Sequence, residues 1–116
     1  MSPQTVFATI LPLFLMATSC TSKNSVEFLG FEGCPNTPEL RSRLIEADSN
    51  LEIIDVNLMA LDEKDSRLGW GAPTILVNGE DLFGVPANKN GGVSCRNWGD
   101  GLPSSVDIRA ALDAKQ

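Results

Sequence analysis

Residues 71–84 read GAPTILVNGEDLFG, and the reading of this stretch decides the fold. Pro73 to Val77 (PTILV) is short, apolar and rich in β-branched residues, which predicts a strand. Asn78-Gly79 follows. It is the strongest short hairpin signal, because a type I′ turn needs positive φ at both central positions. Glu80 to Phe83 then returns as a second strand. The proline that opens the hairpin follows Ala72, and an X-Pro bond is the only kind that adopts cis at low cost. A cis bond here re-aims the end of the strand.

Outward from the hairpin, toward the N-terminus, Leu61 to Leu68 reads as a short charged helix. Its acidic run, Asp62, Glu63 and Asp65, suits a solvated face. Leu51 to Leu58 is a strand rich in Ile and Val. Pro38 to Ala47 reads as a helix with Leu40, Leu44, Ile45 and Ala47 on one face and Arg41 and Arg43 outside it. Val26 to Phe31 (VEFLGF) suits a buried strand. Toward the C-terminus, Val85 to Leu102 is rich in Gly, Asn and Pro and contains Cys95. A stretch this long without regular structure is often functional. Ser104 with Asp107 marks a helix cap, and Ile108, Ala111 and Leu112 give the last helix one apolar face. The order is β-α-β-α-β-β-α. The first two strands, joined by a helix, are expected to be parallel, and the last two antiparallel. The fold class is therefore α/β, with a mixed four-stranded sheet in one domain over residues 26–116.

Composition excludes several functions. The chain has 116 residues and net charge −6, room for one small domain. It has no cluster of Lys and Arg, so phosphate-backbone binding is not expected and no nucleic acid is a partner. There is no histidine, and any metal site would rely on thiolates and carboxylates. No phosphate loop is present, and no carboxylate pair has a spacing that argues for acid–base catalysis. No cofactor is implied.

Val6 to Ala17 is almost wholly apolar, yet shorter than the ~20 residues that span a bilayer, and it suits the core of a signal peptide over residues 1–19. The stretch Ala17-Thr18-Ser19-Cys20 resembles a bacterial lipobox. The resemblance implies cleavage before Cys20, a lipid on its sulfur and attachment to a membrane of the cell envelope. A cleaved secretory peptide with Cys20 near the cut, giving a soluble periplasmic protein, is the other reading. Residues 20–25 then form a polar tether. Either way the chain is exported to a place where disulfides persist. With Cys20 set aside, Cys34 and Cys95 remain.

The element order, with Cys34 after the first strand and Pro73 opening the third, resembles the thioredoxin fold. The set GCPN, then GAPTILVNGEDLFG, then SCR before a C-terminal helix is similar to a group of small bacterial thioredoxin-like proteins. Members of that group carry labels such as thioredoxin family or alkylmercury lyase. The resemblance implies that Ala72 and Pro73 hold an extended partner by backbone bonds beside a reactive Cys34, with Trp70 lining the groove. It also implies a thiol- or disulfide-containing protein or small molecule as substrate, or a soft ion taken by two thiolates. No resident metal is implied.

Cys34 sits where such a nucleophile sits. Two helix starts fit the sequence. With Pro35 first and Cys34 as cap, backbone amides aim at the sulfur and lower its pKa. With Pro38 first and Thr37 as cap, the sulfur lies one turn back. Thr37 replaces the second cysteine of a Cys-x-x-Cys motif. Its hydroxyl donates to a thiolate but cannot resolve a mixed disulfide. Cys95 either resolves Cys34, pairs with it permanently, or stays a free loop thiol, and Arg96 beside it favours its thiolate. Cys34 itself is either a working thiol or a small buried hydrophobe. Two functions follow. One is thiol–disulfide or soft-metal thiol chemistry at Cys34 assisted by Cys95. The other is a non-catalytic envelope domain with a structural Cys34–Cys95 disulfide that binds a protein partner.

Overall fold

The structure, a computed structural model, describes residues 25–115. The stretch expected to be a signal peptide, Cys20 and most of the expected tether lie outside the described residues. The elements are β1 (Ser25–Gly30), α1 (Asn36–Ala47), β2 (Glu52–Asn57), β3 (Thr74–Val77), β4 (Glu80–Asp81) and α2 (Ser105–Ala114). They build an α/β fold with one mixed four-stranded sheet in the order β2-β1-β3-β4.

β1 pairs with β2 in parallel, from Ser25 opposite Glu52 to Gly30 opposite Asn57. It pairs with β3 antiparallel, with Glu27 opposite Leu76 and Leu29 opposite Thr74. The hairpin turn is as the sequence demands. Asn78 and Gly79 have φ of 54° and 81°, and Leu76 faces Asp81 across the ladder. β1 alternates its side chains between two apolar clusters. Val26 and Phe28 join Ile75 and Leu82 of the hairpin under Leu40, Leu44 and Ala47 of α1 and Ile108 and Leu112 of α2. Leu29 and Leu76 point to the other face, where they meet Cys34, Leu58, Leu68 and Ala72. Both helices thus cover one face, and turns with the long loop cover the other.

Four expectations need correction. No α-helix forms over residues 61–68. Asp62 and Asp65 turn their carboxylates onto the backbone N–H groups of Lys64 and Arg67, at 2.8 and 2.9 Å. Such local bonds compete with a helical ladder. What remains are 3₁₀ turns at Leu58–Ala60 and Ser66–Trp70. The fourth strand is two residues long, because the Asp81 carboxylate accepts from Phe83 and Val85 N–H and bends the chain out of the ladder. Ile45 is 42% exposed and not part of the core face. Residues 85–102 are not without structure: Cys95 makes an isolated parallel bridge to Ala72.

α1 begins one residue beyond the earlier of the two starts. Pro35 already has helical dihedrals, φ −62° and ψ −23°, and Thr37 N–H donates to the Cys34 carbonyl at 3.1 Å. Pro38 falls inside the first turn, where N–H groups have no helical acceptor, so its missing donor leaves no bond unmade. α2 opens with a full capping box. Asp107 N–H donates to Ser104 Oγ, and Ser104 N–H donates to the Asp107 carboxylate. No helix among the described residues is long and apolar enough to cross a membrane.

Candidate functional site

Cys34 and Cys95 form a disulfide, with Cα atoms 5.6 Å apart and a separation of 61 positions in sequence. The separation lies within the ordinary range for a bridge. The two halves differ in access. Cys34 is 2% exposed, walled by Leu29, Leu58, Leu68 and Ala72, whereas Cys95 sits on the exposed loop. Cys34 owes its position to the turn after β1, where its N–H donates to the Phe31 carbonyl, and to the first turn of α1 that follows it.

The loop reaches Cys34 along Ala72. Ala72 N–H donates to the Ser94 carbonyl at 2.9 Å, and Arg96 N–H donates to the Ala72 carbonyl at 2.8 Å. Both backbone groups of Ala72 are therefore taken by the residues flanking Cys95. Gly71 makes this approach possible. It has φ 75°, and a Cβ there would stand 3.1 Å from Arg96 N and Ser94 O. Pro73, next in the chain, is buried, and its carbonyl accepts from the Trp98 indole N–H at 3.1 Å.

Arg96 fixes the loop from the other side. Its Nη1 donates to Asp81 Oδ1 at 2.6 Å and to Thr74 Oγ1 at 3.1 Å, while Nη2 lies 3.4 Å from Asp81 Oδ2. The pair is dry: the side chains are 9% and 1% exposed. Trp98 covers the guanidinium with its ring centroid 3.8 Å away, and meets Phe83 edge-on at 6.1 Å. The guanidinium is thus spent on Asp81, rather than serving as a counter-ion for the Cys95 sulfur. Trp70 stands at the foot of the loop, in the wall of a pocket shared with Glu80, Asp81 and Val85. It is partly buried against the Cys34 cluster and donates its indole N–H to the Val85 carbonyl at 2.6 Å, pinning the start of the loop.

Thr37 is the other singular residue. Its Oγ1 is buried and has no hydrogen-bond partner. A disulfide sulfur is a poor acceptor, and a thiolate is a good one. The hydroxyl sits in the first turn of α1, on the wall of an apolar cavity of about 570 Å³ that also touches Phe28, Phe31, Cys34 and Val56. The exposed Arg41–Asp55 pair stands among its walls, joined through Nε and Nη2 at 2.9 and 2.8 Å. Those hydrogen bonds hold the Asp55 carboxyl below its usual range and raise Arg41. Among the described residues no group of three or more Cys, Asp or Glu converges as a metal site.

The structure brings Cys34, Cys95, Thr37, Ala72 and Pro73 to one end of the sheet and sets Trp70 under the loop. Asp81, to which the sequence reading assigned no part in the site, also belongs to this cluster. Its signal was present. A two-residue Asn-Gly turn pairs Val77 with Glu80 and Leu76 with Asp81, and paired residues share a face. An acid opposite Leu76 must point inward and needs a cation. Compared with known proteins, the chain matches no family model, no curated protein and no solved structure.

Proposed function

We propose that this is an exported thioredoxin-like protein, attached to a membrane of the cell envelope through a lipid on Cys20, that performs thiol–disulfide exchange through the Cys34–Cys95 pair. Its partner is a thiol- or disulfide-containing protein or small molecule. The fold reading draws on the parallel β1-α1-β2 unit and the β3-β4 hairpin with α2 after it. The observation that carries the functional reading is the unequal bridge, a buried sulfur at a helix N-terminus joined to an exposed one. An incoming thiolate meets Cys95 first. Cys34 then leaves as a thiolate favoured by the α1 dipole, and a stabilised leaving group speeds exchange. In the reduced pair Cys34 is the nucleophile, Thr37 supplies its idle hydroxyl to the thiolate, and Cys95 resolves the mixed disulfide. The apolar cavity beside Cys34 suits the body of a bound thiol.

The test is alkylation and glutathione equilibration of the full chain carrying Cys20→Ser. One thiol is expected to react faster than free cysteine at pH 7, with a reduction potential above about −300 mV. Slow alkylation of both thiols and a potential below about −300 mV overturn the reading. They leave a second one, a permanent disulfide in a domain that binds an envelope protein. That second reading is favoured by the dry Arg96–Asp81 pair, which holds the loop without help from the sulfurs. Lipid attachment is tested separately: labelled fatty acid is expected in the full chain and absent from Cys20→Ser.

A further inference from the structure

We propose that the seat filled by Ser94-Cys95-Arg96 is a peptide-binding site, and that its external ligand is an extended peptide carrying cysteine followed by arginine. The inference rests on the exchange reading above. The loop lies in this seat as a bound peptide would. Ala72 gives one N–H and one C=O to the residues on either side of Cys95, which reads any extended backbone. The bridge to Cys34 demands a cysteine between them. The next side chain enters a polar slot made by Asp81 and Thr74.

That slot selects for arginine. Asp81 Oδ2 is occupied by the N–H groups of Phe83 and Val85, whereas Oδ1 takes its short bond from Arg96 Nη1. If Arg96 leaves, a carboxylate that is 1% exposed loses its cation, and such a charge is costly unless another replaces it. Nη1 bonds Asp81 and Thr74, Nη2 stands 3.4 Å from Asp81 Oδ2 and the Trp98 ring stacks on the plane, an arrangement that a planar fork fills and an ammonium does not. The loop can lift while its ends hold. Trp70 ties Val85, and Arg43 Nη1 donates to the Leu102 and Pro103 carbonyls at 3.1 Å, so neither anchor depends on residues 94–96.

The exchange balances without an outside oxidant. The peptide thiolate attacks the exposed Cys95 sulfur, and the Cys34–Cys95 bond breaks to release the Cys34 thiolate. Cys34 then attacks the peptide sulfur and releases the Cys95 thiolate. One disulfide is consumed and one is formed at each step, and the peptide ends on Cys34 in the seat the loop has left.

The test uses the oxidised full chain with Cys20→Ser and two synthetic peptides, Val-Ser-Cys-Arg-Asn and the same peptide with glutamate in place of arginine. Adducts on Cys34 are read by mass spectrometry after acid quenching. The arginine peptide is expected to give on the order of tenfold more adduct. The difference is expected to vanish in Asp81→Asn. Should that variant fail to fold, the two-peptide comparison in the chain with Asp81 intact decides alone. Equal yields, or adducts confined to Cys95, overturn the peptide site and leave exchange standing. So does a bond that glutathione opens but neither peptide joins. A disulfide-linked dimer overturns it in favour of a second copy of this chain. A bond that resists glutathione and both peptides overturns the site and the exchange reading together.

Discussion

The two faces of the sheet are held by different physics. On the helix-covered face Val26, Phe28, Leu40, Leu44, Ile75, Ile108 and Leu112 bury one another. On the loop-covered face Leu29, Leu58, Leu68 and Leu76 share their space with a disulfide. Thr74 and Asp81 project to the same side, opposite Leu29 and Leu76 in the ladder. The first face is stabilised by area removed from water, which no change of redox state or ligand reverses. The second is fastened at a few points, a covalent bond, a buried ion pair and two backbone bonds to Ala72. Each of these joins two particular groups, and each is what the proposed exchange would replace from outside. The difference teaches where this molecule is able to change: on the side that lacks helices.

The largest effect expected is on the helix-covered face. Leu44→Ala should lower stability by about 2–5 kcal/mol through lost burial and an unfilled cavity, read as a fall in urea midpoint at constant slope. A loss below about 1 kcal/mol would mean that this face is not the main core. Next comes Cys95→Ser. The 61-residue separation that the bridge closes makes its loss worth about 2–4 kcal/mol. Amide hydrogen exchange should rise in residues 58–70 and 85–102 while α1 and α2 keep their protection. If the helices lose protection equally, the two faces are one cooperative unit and the comparison breaks. Asp81→Asn keeps the shape and removes the charge opposite Arg96. It should cost about 1–3 kcal/mol and quicken reduction of the disulfide by dithiothreitol. Ser104→Ala removes the α2 cap for about 1 kcal/mol, visible in thermal melts and silent in the reduction rate.

The smallest effect is a pH dependence on the loop side. Arg67 grips Asp65 through Nε and Nη2 and also reaches Glu27, and those hydrogen bonds bring the Asp65 pKa from 3.8 to about 2. A carboxylate with a depressed folded pKa contributes stability above its unfolded value. That contribution is lost as the pH falls from about 4 through 2. A carboxyl NMR titration should find the midpoint near 2, and Arg67→Met should return it toward 3.8. An unchanged midpoint in Arg67→Met would remove the ion pair from the account.

The helix-covered face was legible in the sequence because periodicity reports burial. Leu40 and Leu44, and Ile108 and Leu112, recur at helical spacing, and Asn78-Gly79 fixes the hairpin register. Ser104 and Asp107 place the second helix to the residue. The loop-covered face was not, because its contacts join residues with no common period. Asp62 and Asp65 look like a helix surface until their carboxylates are seen on their own backbone. Arg96 meets Asp81 across 15 residues of glycine-rich chain, and no local rule announces that meeting. Cys34 and Cys95 were singled out by chemistry, but only the path of residues 94–96 along Ala72 brings the sulfurs together.

The span between the two cysteines also sets a timetable. A polypeptide grows from its N-terminus, so 61 residues must be added after Cys34 before its mate exists. During that interval the Cys34 thiol stands without the partner it has in the finished fold. The closing bond can be made only after every strand has been synthesised.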